Sequence, residues 1–145
     1  MDRAHATLTE EIGRALMRVR RRALSDAAGR LEERGEQILR WQVLNCLDRG
    51  GPASQSALSA STGQHPTGLS RMLDELERAA CVRRSRSTAD RRRNVVHLTR
   101  KGKARLEAGR PSVHAAYDHV LAPLSVGQRR TLRDLLQRLL PTADR

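Results

Sequence analysis

Ten basic residues stand between positions 81 and 105, namely Arg83, Arg84, Arg86, Arg91, Arg92, Arg93, Arg100, Lys101, Lys103 and Arg105, against a single acid, Asp90. That stretch carries nine of the chain's twelve net positive charges. Guanidinium groups at this density do one kind of chemistry well: they pair, often through two parallel hydrogen bonds, with phosphate oxygens. A merely solvated charge run trails off into polar sequence. This one ends in Val95, Val96, Leu98 and Thr99, with the alternation of a half-buried strand, so the arginines are expected on an ordered support.

The support is readable on either side. Cys81–Arg86 reads as a strand, residues 87–91 as a turn, and Arg93–Leu98 as the returning strand of a hairpin. Upstream, Pro66 suits the first position of a helix, where its missing N–H costs nothing. Leu69, Met72, Leu73 and Leu76 follow at i, i+3, i+4 and i+7 as one apolar stripe. The opposite face carries Thr67, Ser70 and Arg71 early and Asp74, Glu75 and Glu77 late. A helix entering a major groove by its N-terminus would bring the early residues to bases and phosphates and carry the acids away. A short helix over 54–62, stopped by Gly63, and a helix over 38–49, ended by Gly50, Gly51 and Pro52, precede it. Helix, short helix, turn, helix, hairpin is the order of a winged helix-turn-helix.

The remaining chain predicts more helix. Leu8, Ile12, Leu16, Val19, Ala23 and Ala27 recur every three or four residues. Thr7 or Thr9 is the expected cap, the helix weakens around residues 25–30, and a turn is placed near Gly35. Thr99 is expected to cap a long helix that Pro111 kinks or divides and Pro123 ends. The last helix runs from Ser125 toward Pro141 with Leu132, Leu135, Leu136, Leu139 and Leu140 on one face.

Composition narrows the functions. A chain of 145 residues without Phe, with Trp41 and Tyr117 as its sole Trp and Tyr, must build its core from Leu, Val and Ala, which suits packed helices. Cys46 and Cys81 stand 35 positions apart with no metal-ligand spacing, so neither a disulfide scaffold nor zinc is expected, and no cofactor either. The absence of an apolar leader or an 18-residue apolar run points to a reduced, cytoplasmic, nucleoid-associated protein without a membrane partner. No nucleophile elbow, phosphate loop or catalytic carboxylate pair suggests an enzyme.

From Trp41 to about Gly109 the sequence resembles the multiple-antibiotic-resistance regulators (MarR). Residues 56–63 look like that family's short positioning helix, and residues 65–82 like its recognition helix and wing entry. Residues 89–102 look like its wing, with the D-x-R of Asp90 and Arg92 and the L-T-x-x-G of Leu98, Thr99 and Gly102. The resemblance implies that His65, Pro66, Thr67, Gly68, Ser70 and Arg71 face DNA from the recognition helix, and Arg84, Arg86, Asp90, Arg91, Arg92 and Arg93 from the wing. Within the wing, Asp90 would brace a neighbouring Arg while Arg92 enters the minor groove, where a narrow groove deepens the negative potential.

The resemblance also implies dimerisation through helices from both chain ends. The resulting division is residues 1–34 as an N-terminal dimerisation helix, 35–99 as the DNA-binding unit and 100–145 as C-terminal dimerisation helices. The expected fold is mainly α with a small β-hairpin wing. The expected function is a homodimeric, sequence-specific regulator, a repressor, on a pseudo-palindromic site in double-stranded DNA. Release by a small phenolic or anionic effector is implied too, with Trp41, His114 and Tyr117 as candidate contacts. A sequence-neutral architectural DNA-binding protein is the alternative, separated by the ratio of specific to non-specific affinity.

Overall fold

The computed structural model describes residues 3–86 and 94–140, with side chains from Thr7 onward. Asp90, Arg91, Arg92 and Arg93 therefore lie outside the described residues.

The helical expectations hold with three corrections. Helix α1 spans Arg3–Glu32, so Thr7 and Thr9 lie inside it and not at its start. It does not weaken at 25–30 either, because Ala27 and the fully buried Leu31 extend the apolar stripe past the polar residues between them. Helix α2 spans Ile38–Gly50 and stops at Gly51, whose φ of 76° suits a residue without a Cβ. Strand β1, the pair Ala53–Ser54, gives no sequence signal. Helix α3, Gln55–Thr62, starts at the Ser54 cap and ends at left-handed Gly63; helix α4, Pro66–Arg78, follows.

Strands β2, Val82–Arg86, and β3, Asn94–Leu98, pair antiparallel with Arg84 opposite Val96. Strand β1 adds to the far edge of β3 through Ala53 opposite Val96, giving the order β1-β3-β2. Helix α5 runs unbroken over Arg100–Leu121. Pro111 does not divide it into two elements; the ring removes one N–H from a helix long enough to persist on both sides. Helix α6, Val126–Leu139, begins with a reciprocal capping box of Ser125 and Gln128.

Two compact units divide the chain, one from residues 1–26 and 114–145 and the other from residues 27–113. The second unit holds most of the core: Leu31, Val43, Leu44, Leu47, Leu58, Leu69, Leu73, Leu76, Val82, Val96 and Leu106 are all buried. Trp41 belongs there as well, its indole N–H donating to the Leu106 carbonyl at 3.1 Å. A Cβ on Gly109 would lie 2.6 Å from that indole ring, so the glycine is what admits the tryptophan.

Among the described residues of the first unit Ala23 and Ala116 are buried, and Leu8, Ile12, Leu16, Val19, Val126, Leu135, Leu136 and Leu139 are exposed in the single chain. Among the described residues no helix is long and apolar enough to cross a membrane.

Candidate nucleic-acid interface

Helix α4 is the strongest amphipathic element near the basic stretch. Its stripe is buried at Leu69, Leu73 and Leu76, which fixes the polar face outward. Thr67, Gly68 and Arg71 are exposed and Ser70 is half-buried. His65 caps the helix by accepting from the Thr67 N–H on its Nδ1 at 3.3 Å. The imidazole thus has a structural task, although its ring remains exposed beside Pro66. Gln55 donates to the Pro66 carbonyl at 3.1 Å and Ser59 to the Gln64 carbonyl at 2.6 Å, so α3 holds the start of α4 in place.

The far end of α4 turns into the hairpin through a tight cap. The Cys81 N–H reaches the Leu76 carbonyl and the Ala80 N–H the Glu77 carbonyl, both at 2.8 Å, with Ala80 left-handed at φ 57°. Thr99 then ties the returning strand to this corner. Its hydroxyl lies 2.7 Å from the Ala80 carbonyl and 3.0 Å from that of Cys81, and accepts from the Gly102 N–H at 3.0 Å. A Cβ on Gly102 would sit 2.0 Å from the Cys81 carbonyl oxygen. The threonine and glycine of L-T-x-x-G therefore have a physical meaning: one caps α5, the other lets its first turn lie against the hairpin base.

The basic stretch is less available than its composition suggests. Arg105 forms a fork with Glu36, the one buried charged residue among those described, and that hydrogen bonding holds its guanidinium pKa above the ordinary value. Lys103 reaches Asp48 at 3.1 Å, and Arg110 shares that carboxylate at 3.3 Å while also holding Glu107. The Arg110 contact draws the Glu107 carboxyl below its usual range.

Arg84 faces α4 and pairs with Asp74 at 2.5 Å and Glu77 at 3.1 Å. Arg40 of α2 takes Glu75. The three acids of α4 are thus fastened to neighbouring elements, which sequence spacing of 7 to 35 residues does not reveal. Arg83, Arg86, Arg100 and Lys101 are exposed.

The candidate effector residues fall in both compact units. Trp41 is core, whereas His114 and Tyr117 are exposed on α5. Sequence reading missed a cavity of about 850 Å³ beside α1 and the end of α5, lined by Ala15, Arg18, Val19, Arg21, Arg22, Ser25, Asp26, His119 and Val120. In its wall His119 Nδ1 lies 2.8 Å from Asp26. The signal was the arginine run at 18–22, set on an apolar helix. Cys46 is half-buried and burial pushes its thiol up, which disfavours the reactive thiolate. No group of three or more His, Cys, Asp or Glu among the described residues could hold a metal ion.

The MarR family model matches residues 37–93, which takes in α2, β1, α3, α4 and the first part of the hairpin. The transcriptional regulator YdgJ of Bacillus subtilis, named as an uncharacterized helix-turn-helix type, is 31% identical over 100 residues. That match covers 69% of this chain, and the chain spans only 61% of YdgJ. A solved structure of a probable transcriptional regulator from Pseudomonas aeruginosa is 31% identical, with a TM-score of 0.69 over 92% of this chain and 99% of that one. A MarR family protein of Mycobacterium tuberculosis, solved in complex with p-aminosalicylic acid, is 26% identical, with a TM-score of 0.76 over 88% of this chain and 96% of that one. The fold agrees across these comparisons, and the chain belongs to the MarR family of winged-helix, DNA-binding transcriptional regulators.

Proposed function

We propose that the protein is a homodimeric repressor that reads a pseudo-palindromic operator with α4 in the major groove and the hairpin against the flanking minor groove. The observation that carries this reading is the exposed start of α4: Thr67, Gly68 and Arg71 project from a helix whose other face is locked in the core. Exposed Arg83 and Arg86 add positive charge on β2, and Arg91, Arg92 and Arg93 follow them in sequence. Residues 35–99 would supply this surface, while residues 1–34 and 100–145 supply the two-fold. A two-fold would set the recognition helices about 34 to 36 Å apart, one turn of DNA. A dimer seated on an operator that overlaps a promoter would obstruct polymerase, which is the route to repression in this reading.

Arginine at the start of a recognition helix reads guanine through two hydrogen bonds, and each such contact discriminates by about 1 to 3 kcal/mol. Arg71→Ala is therefore expected to relax sequence preference at one position of each half-site. Arg92→Ala should instead weaken all duplexes and lower the salt slope of binding by about one unit per subunit. Binding of both variants like the parent would remove α4 and the hairpin as the reading surface.

We further infer that a small aromatic acid releases the DNA. The cavity beside α1 joins an apolar floor of Ala15, Val19 and Val120 to the guanidinium groups of Arg18, Arg21 and Arg22, a chemistry suited to a carboxylate on an apolar ring. p-Aminosalicylate, seen with the M. tuberculosis relative, is the first compound to try. DNA affinity unmoved by it, with no heat of binding, would count against this class of effector.

A further inference from the structure

We propose that Arg84 is a positioning residue that fixes the hairpin base against the recognition helix and does not itself touch DNA. The inference rests on the reading of α4 and the hairpin as the DNA surface. One residue of β2 grips three residues of α4: its guanidinium meets Asp74 at 2.5 Å, Glu77 at 3.1 Å and the Ser70 carbonyl at 3.4 Å. Its main-chain N–H donates to the second oxygen of Glu77 at 2.8 Å, so that carboxylate holds strand and side chain together.

The Arg84 side chain is 23% exposed, whereas Arg83 and Arg86 on the same strand stand in solvent. A phosphate would have to displace two carboxylates to reach it. The strut also ends where it matters, on the carbonyl of Ser70, the residue before Arg71. At its other end Arg84 pairs across the sheet with buried Val96, which pairs in turn with Ala53, so the strut is rooted in the middle strand. Arg40 holds Glu75 from α2 in the same manner.

The sign of one substitution separates a strut from a phosphate contact. Neutralising Glu77 or Asp74 makes the DNA-facing unit more positive, and electrostatics alone would then tighten binding. A strut loses a foothold, and specific binding weakens.

The experiment measures affinity of the full chain for a duplex selected from a random-sequence pool by the parent protein, with an unselected duplex beside it, over a salt series. Glu77→Gln and Asp74→Asn are expected to lose about three- to tenfold on the selected duplex, as for a charge-assisted hydrogen bond. Arg84→Lys keeps the charge but cannot span three partners, and is expected to lose about tenfold. Arg84→Met should weaken binding with the parent's salt slope, since a lost phosphate contact would lower the slope by about 0.9 per subunit.

Acid variants that bind as tightly as the parent or tighter, Arg84→Lys indistinguishable from the parent, or a reduced slope in Arg84→Met would each overturn the proposal. Asp74 is half exposed, so its variant keeps the sign test valid even where Arg84→Met melts early. A parent chain that binds neither duplex would overturn the DNA reading itself, and the strut with it.

Discussion

The unit of residues 27–113 and the unit of residues 1–26 and 114–145 solve the problem of a small, highly charged chain in opposite ways. In the first, leucines from α1, α2, α3, α4 and α5 are wholly covered, each burial stabilising by about 2 kcal/mol. The internal ion pairs Arg105–Glu36, Lys103–Asp48 and Arg84–Glu77 are added around that core. In the second, Ile12, Leu16, Val19, Leu135 and Leu139 are between 44% and 70% exposed. One unit buries its leucines among its own elements; the other leaves large apolar side chains exposed in the single chain. Precise presentation of α4 needs the former, and a two-fold assembly needs the latter.

Substitutions at three sites break or sharpen this contrast. Gly102→Ala is expected to do most damage, because its Cβ would meet the Cys81 carbonyl at 2.0 Å and main chain cannot step aside. A loss of about 3 kcal/mol, at the upper end of overpacking, should appear as a much earlier thermal melt. A melt within error of the parent's would show that the hairpin base is looser than described.

Ile12→Asp should leave the helical content intact and shift light scattering from dimer to monomer. A carboxylate without a partner in an apolar interface costs several kcal/mol, so the dimer constant should weaken by about a hundredfold or more. A dimer that survives this change would place the two-fold elsewhere.

Ala80→Gly is the smallest effect. A left-handed Ala costs about 1 kcal/mol, partly offset by the greater chain entropy of Gly, so Tm should rise by about 2 °C. A fall would mean the corner after α4 is held by more than its φ.

Local signals carried most of the fold. Pro66, the leucine stripe of α4, Gly63 and the alternation at Val95–Leu98 each act within a few residues, and each element lies where they put it. What escaped reading depends on partners. Two-residue β1 exists only because β3 lies beside it, and α5 passes Pro111 because it is held on both sides. At the site, the exposed start of α4 was readable, but the commitment of Arg84, Lys103 and Arg105 to carboxylates was not, since those acids lie 7 to 69 residues away. The i, i+3 spacing of Asp74 and Glu77 before a basic strand was the one available hint.

The most direct measurement is selection of bound fragments from sheared genomic DNA at physiological salt, with the recovered sequences aligned. A sequence-specific dimer predicts an inverted repeat whose half-sites are one helical turn apart, enriched about a thousandfold or more over bulk DNA. Uniform recovery without a motif would contradict it and leave a sequence-neutral architectural protein that uses the same basic surface.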